Sequence, residues 1–362
     1  MRVTHARRAA ALATVVFAVI GLAGAYSYWE SYYQHRGFDT VAFLPHARRG
    51  QLHTVRFYSR ALRRNADYIA YTPPGYETRV TGSERYPVYY LLHGSPGRPA
   101  VFTDIAQLPV RMDNLISQHR MRPMILVFPD GRIAGSTYSD SEWANTPSGH
   151  FAGYVMDVVH DVDHRFRTLA HRDDRVIAGF SAGAYGATNI ALHNVASFAG
   201  LQSWSGYYIE TRSGVFARAS AATLDANSPL DYVPRLKVLM ARDPVRAFLF
   251  VGRDDDDSPQ TGPMAAALAS AGADVTWALY PGGHDWQLWH AHLDQMLILA
   301  SRDTSTPPEP SHGRARSLTP GVVPIPNGEG RHHHHAAARV QRRTALRGPR
   351  ERGRRSRVPP AR

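Results

Sequence analysis

One stretch near the middle of the chain constrains the fold more than any other: Arg175-Val-Ile-Ala-Gly-Phe-Ser-Ala-Gly-Ala-Tyr-Gly186. Val176 to Ala178 is a short apolar run typical of a strand, and an alanine-rich stretch typical of a helix follows Gly183. A Gly-x-Ser-x-Gly match between strand and helix predicts a sharp turn that holds Ser181 above a sheet edge. Because glycine has no Cβ, the flanking glycines let strand and helix approach closely. The pattern predicts an α/β sheet that presents a nucleophilic serine.

The rest of the chain offers partners for this serine. A serine hydroxyl is a weak nucleophile that needs a base and a third group to orient the base. Phe248–Val251 is a strand pattern that leads into four aspartates, and Thr276–Tyr280 is another that leads into a turn containing His284. Because the carboxyl ends of parallel strands meet at one edge of an open sheet, we expect His284 and one aspartate to lie beside Ser181.

Five motifs between Gln51 and Ala300 carry a resemblance to a known family. They are Tyr71-Thr-Pro-Pro-Gly-Tyr76, Tyr86-Pro-Val-Tyr-Tyr-Leu-Leu-His-Gly94, Gly179-Phe-Ser-Ala-Gly183, Ser203-Trp-Ser-Gly206 and Pro281-Gly-Gly-His-Asp-Trp286. With these motifs the chain resembles the esterase D, feruloyl esterase and antigen 85 mycolyltransferase group of α/β-hydrolases. The resemblance implies an α/β-hydrolase fold, a mostly parallel central sheet flanked by helices. It also implies acyl-ester chemistry, and it implies no cofactor and no metal.

The acid of the predicted triad lies among the four consecutive aspartates. The family spacing implies Asp255, three residues after Gly252, and leaves Asp254 as the alternative. A buried carboxylate at this place would orient His284 and stabilise its imidazolium form. A calcium site is another interpretation of four aspartates, but they lack the alternation of an oxygen cage.

The oxyanion of a tetrahedral intermediate needs two N–H donors. The amide of Ala182, directly after the nucleophile, is expected to be one of them. The resemblance implies that the other is the amide of Ser95, the residue after the His93–Gly94 pair. It also implies that His93 braces this loop rather than acting as a base.

The segment from Ile133 to His150 has no periodicity and is rich in Ser, Gly and Asn. Loops of this length in compact domains are usually functional. In related hydrolases this region borders the acyl pocket, so Tyr138 and Trp143 are predicted to contact the substrate. The alternative is a packed surface loop in which Trp143 is a plug.

A pair of histidines could suggest a metal site on the next predicted helix, Phe151 to Phe166. His160 and His164 lie four residues apart beside several aspartates, a spacing that can bind a metal. The charged face of a surface helix has the same pattern. We therefore predict no metal here.

The net charge of +12 belongs to the two ends of the chain. Residues 305–362 hold thirteen arginines and three glutamates, and residues 1–8 hold three arginines, which leaves −1 for residues 9–304. A near-neutral globular part argues against nucleic acid as a partner. The chain has no cysteine, which excludes disulfides and thiolate metal sites.

The N-terminal 29 residues resemble a membrane-targeting segment. Three arginines precede the uncharged apolar run Ala9–Ala25, and interfacial aromatics follow it to Trp29. We predict a signal anchor, with a signal peptide cleaved near Ala23-Gly-Ala25 as the alternative. Either places the following domain outside the cytoplasm. Residues 30–50 are predicted to be a stalk.

The C-terminal residues 304–362 change in character. Prolines interrupt any regular element, and His332–His335 and many arginines follow. With almost no apolar residue to bury, the segment is predicted to be a disordered tail. Its arginines could bind anionic lipid or a wall polymer.

The sequence thus predicts a serine esterase domain in residues 51–303, bound to the cell membrane or secreted if the N-terminal segment is cleaved. Its substrate would be an acyl ester, including one of a cell-envelope lipid or glycan. Two alternatives stay open. One is an acyltransferase that moves an acyl chain to a sugar or lipid hydroxyl. The other is a non-catalytic membrane- or wall-tethered binding protein that acts through the arginine tail.

Overall fold

A computed structural model of the chain describes residues 11–24, 38–77, 84–133, 141–304 and 316–318. The described strands are β1 (Gln51–Ser59), β2 (Arg64–Thr72), β3 (Val88–Leu92), β4 (Ile125–Pro129), β5 (Asn145–Thr146), β6 (Gly149–His150), β7 (Arg175–Phe180), β8 (Gly200–Trp204), β9 (Arg246–Gly252), β10 (Asp274–Tyr280) and β11 (Arg316–Leu318). The described α-helices are α1 (residues 11–24), α2 (Val101–Asp104), α3 (Leu108–Ser117), α4 (Phe151–Arg165), α5 (Ala182–His193), α6 (Ala221–Ala226), α7 (Pro229–Tyr232), α8 (Lys237–Arg242), α9 (Ser258–Ala271) and α10 (Trp286–Asp303). Alternation of strands and helices after β3 is the pattern of a parallel sheet with helical crossovers.

Nine of the described strands form one sheet in the order β1-β2-β4-β3-β7-β8-β9-β10-β11. The β1–β2 and β2–β4 pairs are antiparallel, and every pair from β4 to β11 is parallel. β3, β4, β7 and β8 are buried along their whole length, as strands covered on both faces are. The predicted α/β-hydrolase fold is confirmed, and the parallel strands all end at one edge of the sheet.

The two faces of this sheet support separate hydrophobic cores. Along β3, Val88 and Tyr90 pack into one core, and Tyr89 and Leu91 pack into the other, as the period of a strand requires. The first core contains the apolar sides of α4, α5 and α9. The second contains those of α3 and α10. Because both faces are covered, the carboxyl edge is where the sheet can present chemistry to solvent.

The predicted stalk is wrong from Phe38 onward, because residues 38–50 pack along α3. Their backbone N–H groups donate to polar side chains of that helix and of its N-cap residue, so the segment belongs to the domain. Three bonds join them: Val41 N to Gln107 Oε1 (2.7 Å), Leu44 N to Asn114 Oδ1 (3.0 Å) and Gly50 N to Asp113 Oδ1 (2.9 Å). The ring of Phe38 also stacks on His290 of α10, with 4.0 Å between centroids.

The two ends of the chain are described only in part. The helix α1 exposes apolar side chains such as Leu12 and Phe17. Within the described ranges, no helix is both long enough and apolar enough to cross a membrane. The predicted anchor runs on to residue 29 and so extends outside those ranges.

The predicted disordered tail is wrong at three residues, Arg316–Leu318, which form β11 in parallel with β10. Without β11, the outer edge of β10 would have unpaired N–H and C=O groups, and these are the groups with which β11 pairs. The remainder of the tail lies outside the described residues.

Candidate active site

Ser181 lies in the sharp turn between β7 and α5, as predicted. Its backbone has φ 56° and ψ −127°, a conformation that is uncommon for a residue with a side chain and is stabilised only by its surroundings. Gly183 is required here, because a Cβ on it would lie 2.0 Å from the carbonyl oxygen of Leu92. A Cβ on Gly179 would lie 2.3 Å from the backbone of Gly183. The glycines therefore allow the turn to pack against β3.

The loops after β9 and β10 are joined to each other at the same edge. The amide of Asp254 donates to the carbonyl oxygen of Gly282 at 2.9 Å, and the amide of Arg253 donates to that of Tyr280 at 2.8 Å. A Cβ on Gly252 would lie 2.3 Å from the Gly282 oxygen, so only glycine permits this approach. The contact places the aspartate row beside the loop that carries His284.

The structure brings Ser181, His284 and Asp255 together. His284 Nε2 lies 2.8 Å from Ser181 Oγ, and His284 Nδ1 lies 2.8 Å from Asp255 Oδ2. In the neutral imidazole, Nδ1–H donates to the carboxylate and Nε2 accepts from the hydroxyl. Asp255 is buried, whereas the alternative acid, Asp254, is exposed. Of these two, Asp255 is the one that contacts the histidine.

Electrostatics match this geometry. Burial raises the pKa of Asp255, but hydrogen bonds from His284, the Asp257 amide and the Ser205 hydroxyl outweigh it and hold the pKa below its ordinary value of 3.8. The hydrogen bond with Asp255 raises the pKa of His284 above its ordinary value of 6.5, although burial opposes the change. The histidine is thus a stronger base than free imidazole, and its partner stays ionised.

The two predicted oxyanion donors belong to two segments that meet at the serine turn. Ala182 is the first residue of α5, so its N–H has no partner within the helix. The loop after β3 approaches Ser181 so closely that a Cβ on Gly94 would lie 3.0 Å from the Ser181 Cβ. Ser95 is the next residue, and it is exposed. The amino end of α5 also favours negative charge at this point.

The prediction that His93 braces its loop is confirmed. The Gly131 amide donates to His93 Nε2 at 3.1 Å, so Nδ1 holds the proton and donates to the carbonyl oxygen of Gly94 at 2.9 Å. The imidazole thereby ties the loop after β3 to the loop after β4. It is buried, with 3% of its surface exposed.

The predicted substrate contact of Trp143 is wrong, and the alternative of a plug holds. Trp143 is fully buried, and its Nε1 donates to the carbonyl oxygen of His93 at 3.0 Å. Its side chain lies against Gly131 and Gly186: an added Cβ on Gly131 would come within 2.6 Å of the ring, and one on Gly186 would come within 2.4 Å of the Trp143 Cβ. The two missing Cβ atoms create the space that the indole fills. Tyr138 lies outside the described residues.

Sequence reasoning missed two side chains behind the histidine. Trp289 Nε1 donates to Ser205 Oγ at 3.1 Å, and the Ser205 hydroxyl helps to lower the pKa of Asp255. The ring of Trp289 meets that of His284 edge to face, with 5.3 Å between centroids. Ser205 directly follows β8, so the rule that parallel strands end at one edge could have identified it.

Two groups of side chains have the composition of a metal site. Potential ligand atoms of Asp255, Asp257 and His284 lie within 4.8 Å of one another. Both ring nitrogens of His284 already have hydrogen-bond partners at 2.8 Å, so the arrangement suits proton transfer. His160 and His164 are exposed on α4.

The aspartates near those two histidines support the fold. Asp157 Oδ2 accepts from Ser59 Oγ at 2.7 Å, and Asp161 Oδ2 accepts from the Tyr68 hydroxyl at 2.8 Å. These bonds tie α4 to β1 and β2. They explain the acidic spacing on this helix without a ligand.

Known proteins resemble this chain in sequence and in fold. Over 158 residues it is 32% identical to an esterase of Mycobacterium tuberculosis, an alignment that covers 42% of this chain and 31% of that protein. The chain thus spans about a third of the length of that relative. An acetyl esterase of Caldicellulosiruptor saccharolyticus is 26% identical over 262 residues, covering 66% of this chain and 94% of that protein. A solved ferulic acid esterase has a TM-score of 0.62 at 24% identity, covering 70% of this chain and 99% of its own.

The family model described as "Putative esterase" matches residues 59–300. This range begins at the end of β1 and runs through β10 into α10, so it includes the serine turn and both loops that carry its partners. The match covers more than half of the chain. On these grounds the chain belongs to this esterase family.

Proposed function

We propose that the chain is a serine esterase that hydrolyses carboxylic esters through an acyl-Ser181 intermediate. One observation carries the proposal, the pair of 2.8 Å bonds that link Ser181 Oγ, His284 and Asp255. Nucleophile, base and orienting acid in this geometry are the elements of a catalytic triad. Family membership supports the same reaction class.

The proposed reaction has two halves. Ser181 Oγ attacks the acyl carbon while His284 Nε2 takes the hydroxyl proton, and Asp255 stabilises the resulting imidazolium. The amides of Ala182 and Ser95 donate to the oxyanion, and His284 then protonates the leaving alcohol. In the second half, water attacks the acyl-serine with His284 as base, which releases the acid and restores the serine.

The place of action is also a proposal. We propose that the domain lies outside the cytoplasm, held at the cell membrane or secreted after cleavage, because arginines precede an apolar run at the start of the chain. The exposed apolar side chains of α1 support this proposal. The basic tail is proposed to bind anionic lipid or wall polymer. Fractionation of cells that express the full chain would test both.

Turnover of p-nitrophenyl acetate by the full-length chain tests the reaction. Ser181→Ala should lower kcat/KM by about 10⁴- to 10⁶-fold, because the nucleophile is lost. Ser270→Ala is the matched control, since Ser270 is exposed on α9, and its activity should stay within about twofold of wild type. Equal activity of the Ser181→Ala variant would contradict the proposal. With an added sugar alcohol, a new ester in place of free acid would favour the acyltransferase alternative.

A further inference from the structure

A second carboxylate lies beside the base of the proposed triad. Asp257 follows Asp255 by two residues in the loop after β9. A carboxylate oxygen of Asp257 lies within 4.8 Å of an Asp255 oxygen and of a His284 ring nitrogen. The Asp257 amide donates to Asp255 Oδ1 at 3.0 Å, while Asp255 Oδ2 contacts the histidine. One residue thus supports the acid through its backbone and faces the base with its side chain.

A hydrogen bond from Gln260 also holds the Asp257 side chain in place. Gln260 Nε2 donates to Asp257 Oδ1 at 3.2 Å, and Gln260 Oε1 accepts from the amide of Tyr208 at 2.8 Å. Gln260 thereby connects the carboxylate to the segment that follows β8. The hydrogen bond from Gln260 helps to hold the Asp257 carboxylate in its position near His284.

The ordinary structural explanation for this aspartate does not apply. Asp257 occupies the N-cap position of α9, where an aspartate commonly accepts a bond from a helix amide. Its side chain makes no such capping bond. By contrast, Asp285 at the start of α10 does cap its helix, because its Oδ1 accepts from the amide of Leu288 at 3.0 Å. The Asp257 carboxylate is directed to the triad instead.

We propose that Asp257 is a positioning residue for His284, whose charge stabilises the imidazolium that forms when Ser181 gives up its proton. The inference rests on the proposed serine esterase function and deepens it. In the transition state the imidazolium would be stabilised by two carboxylates, one hydrogen-bonded at Nδ1 and one nearby. Asp255 orients the ring, and Asp257 adds charge.

Charged groups from two segments act on the histidine. The hydrogen bond with Asp255 raises the pKa of His284 most, and the charges of Asp257 and Asp285 raise it further, while burial lowers it. Burial and the charge of Asp255 raise the pKa of Asp257 itself above 3.8. Toward α10 the ring meets the uncharged Trp289, and toward α5 it meets the Ser181 hydroxyl.

Asp257→Asn removes the charge and keeps the shape and an acceptor for Gln260. The pKa of His284 should fall by about 0.5 to 1 unit, because an opposite charge near the imidazolium is lost. The acid limb of kcat/KM should move to lower pH by the same amount, because imidazolium is inactive as a base. Above the limb, kcat/KM should drop by about two- to tenfold, because the imidazolium of the transition state is less stabilised.

The direct test is an NMR titration of His284 in the full-length chain, with its resonance identified by loss in His284→Gln. Asp256→Asn is the matched control, since Asp256 is exposed and acts on Asp257 rather than on the histidine. A lower pKa of His284 in Asp257→Asn, together with an unchanged pKa in Asp256→Asn, is the expected result. An unchanged pKa in both variants would overturn the inference, as would equal shifts in both.

Two features of the experiment keep the inference separate from the proposed function. The titration needs no turnover, so an inactive wild-type protein with the expected pKa shift would contradict the esterase proposal and leave the charge effect of Asp257 in place. An active wild-type protein, together with an unchanged His284 pKa in Asp257→Asn, would support the esterase proposal and contradict the charge effect of Asp257. If Asp257→Asn fails to fold, Asp257→Ser removes the same charge and keeps an N-cap residue.

Discussion

Two histidines follow parallel strands at the same edge of the sheet and have different environments. His284, after β10, is 36% exposed and contacts the side chains of Ser181 and Asp255. His93, after β3, is 3% exposed and bonds to backbone groups of Gly94 and Gly131. His284 has a proton donor and a hydrogen-bonded carboxylate as partners. His93 has an amide and a carbonyl as hydrogen-bond partners, and a carboxylate oxygen of Asp130 lies 3.8 Å from its Nε2.

This difference shows that hydrogen-bond partners distinguish the candidate base His284 from the structural residue His93. Residue type and place on the sheet edge do not, because the two histidines share both. A carboxylate stabilises the imidazolium and makes proton uptake favourable. At His93 the Gly131 amide occupies the lone pair of Nε2 and Nδ1 donates to Gly94, so neither ring nitrogen is available to a nucleophile's proton. The same side chain thus has partners suited to proton transfer in one loop and to loop positioning in the other.

The largest expected difference in kcat/KM is between the variants in which His284 or His93 is replaced by glutamine. His284→Gln should lower kcat/KM for p-nitrophenyl acetate by about 10⁴- to 10⁶-fold, because glutamine cannot take up the serine proton. His93→Gln should keep kcat/KM within about tenfold, because glutamine can still bond to backbone groups. Losses of equal size in the two variants would break the comparison.

The next effect concerns the acid. Asp255→Asn should lower kcat/KM by about 10²- to 10⁴-fold, because the carboxylate that orients His284 is lost. Asp254→Asn is the matched control on the neighbouring residue, whose side chain is exposed, and it should stay within about twofold. A larger loss in Asp254→Asn would reassign the acid.

The pH profile sharpens the same point. Imidazolium cannot accept the serine proton, so kcat/KM should fall as the pH drops through the pKa of His284. Because the hydrogen bond to Asp255 raises that pKa, the midpoint of the acid limb should lie above pH 6.5. In Asp255→Asn the limb should move to lower pH by about one unit or more. If the acid limb does not move in Asp255→Asn, it does not report the titration of His284.

The smallest effect on turnover is expected beneath the bracing histidine. Trp143→Phe leaves the buried carbonyl oxygen of His93 without its donor, which should lower the free energy of unfolding by about 1–3 kcal/mol. Urea denaturation measures this loss. Trp277→Phe, on the half-buried side of β10, should cost less than about 1 kcal/mol. A Trp143→Phe variant of full stability but poor turnover would restore the substrate-contact hypothesis.

The sheet edge that holds the candidate site could be predicted because its sequence signals are local. A buried strand followed by a turn can be recognised within about ten residues, as at Ser181 and His284. The rule that parallel strands end at one edge then brings these turns together without knowledge of packing. Family spacing favours Asp255 over Asp254 as the acid, and the structure agrees: Asp254 is exposed, whereas Asp255 is buried and hydrogen-bonded to His284.

Features that depend on distant packing could not be predicted. The space for Trp143 comes from Gly131 and Gly186, and no local pattern links the three. Residues 38–50 resemble a stalk because their partners on α3 lie more than sixty residues away. The direction of the Asp257 carboxylate depends in the same way on Gln260 and on the segment after β8.

The central claim is that His284 activates Ser181. The most direct test is the labelling rate of the full-length chain with a fluorophosphonate probe, with the modified residue identified by mass spectrometry. The account predicts a single label on Ser181 in the wild type, none in Ser181→Ala, and labelling of His284→Gln slower by at least about 10³-fold. Wild-type protein that is folded and unlabelled, or His284→Gln labelled at the wild-type rate, would contradict it.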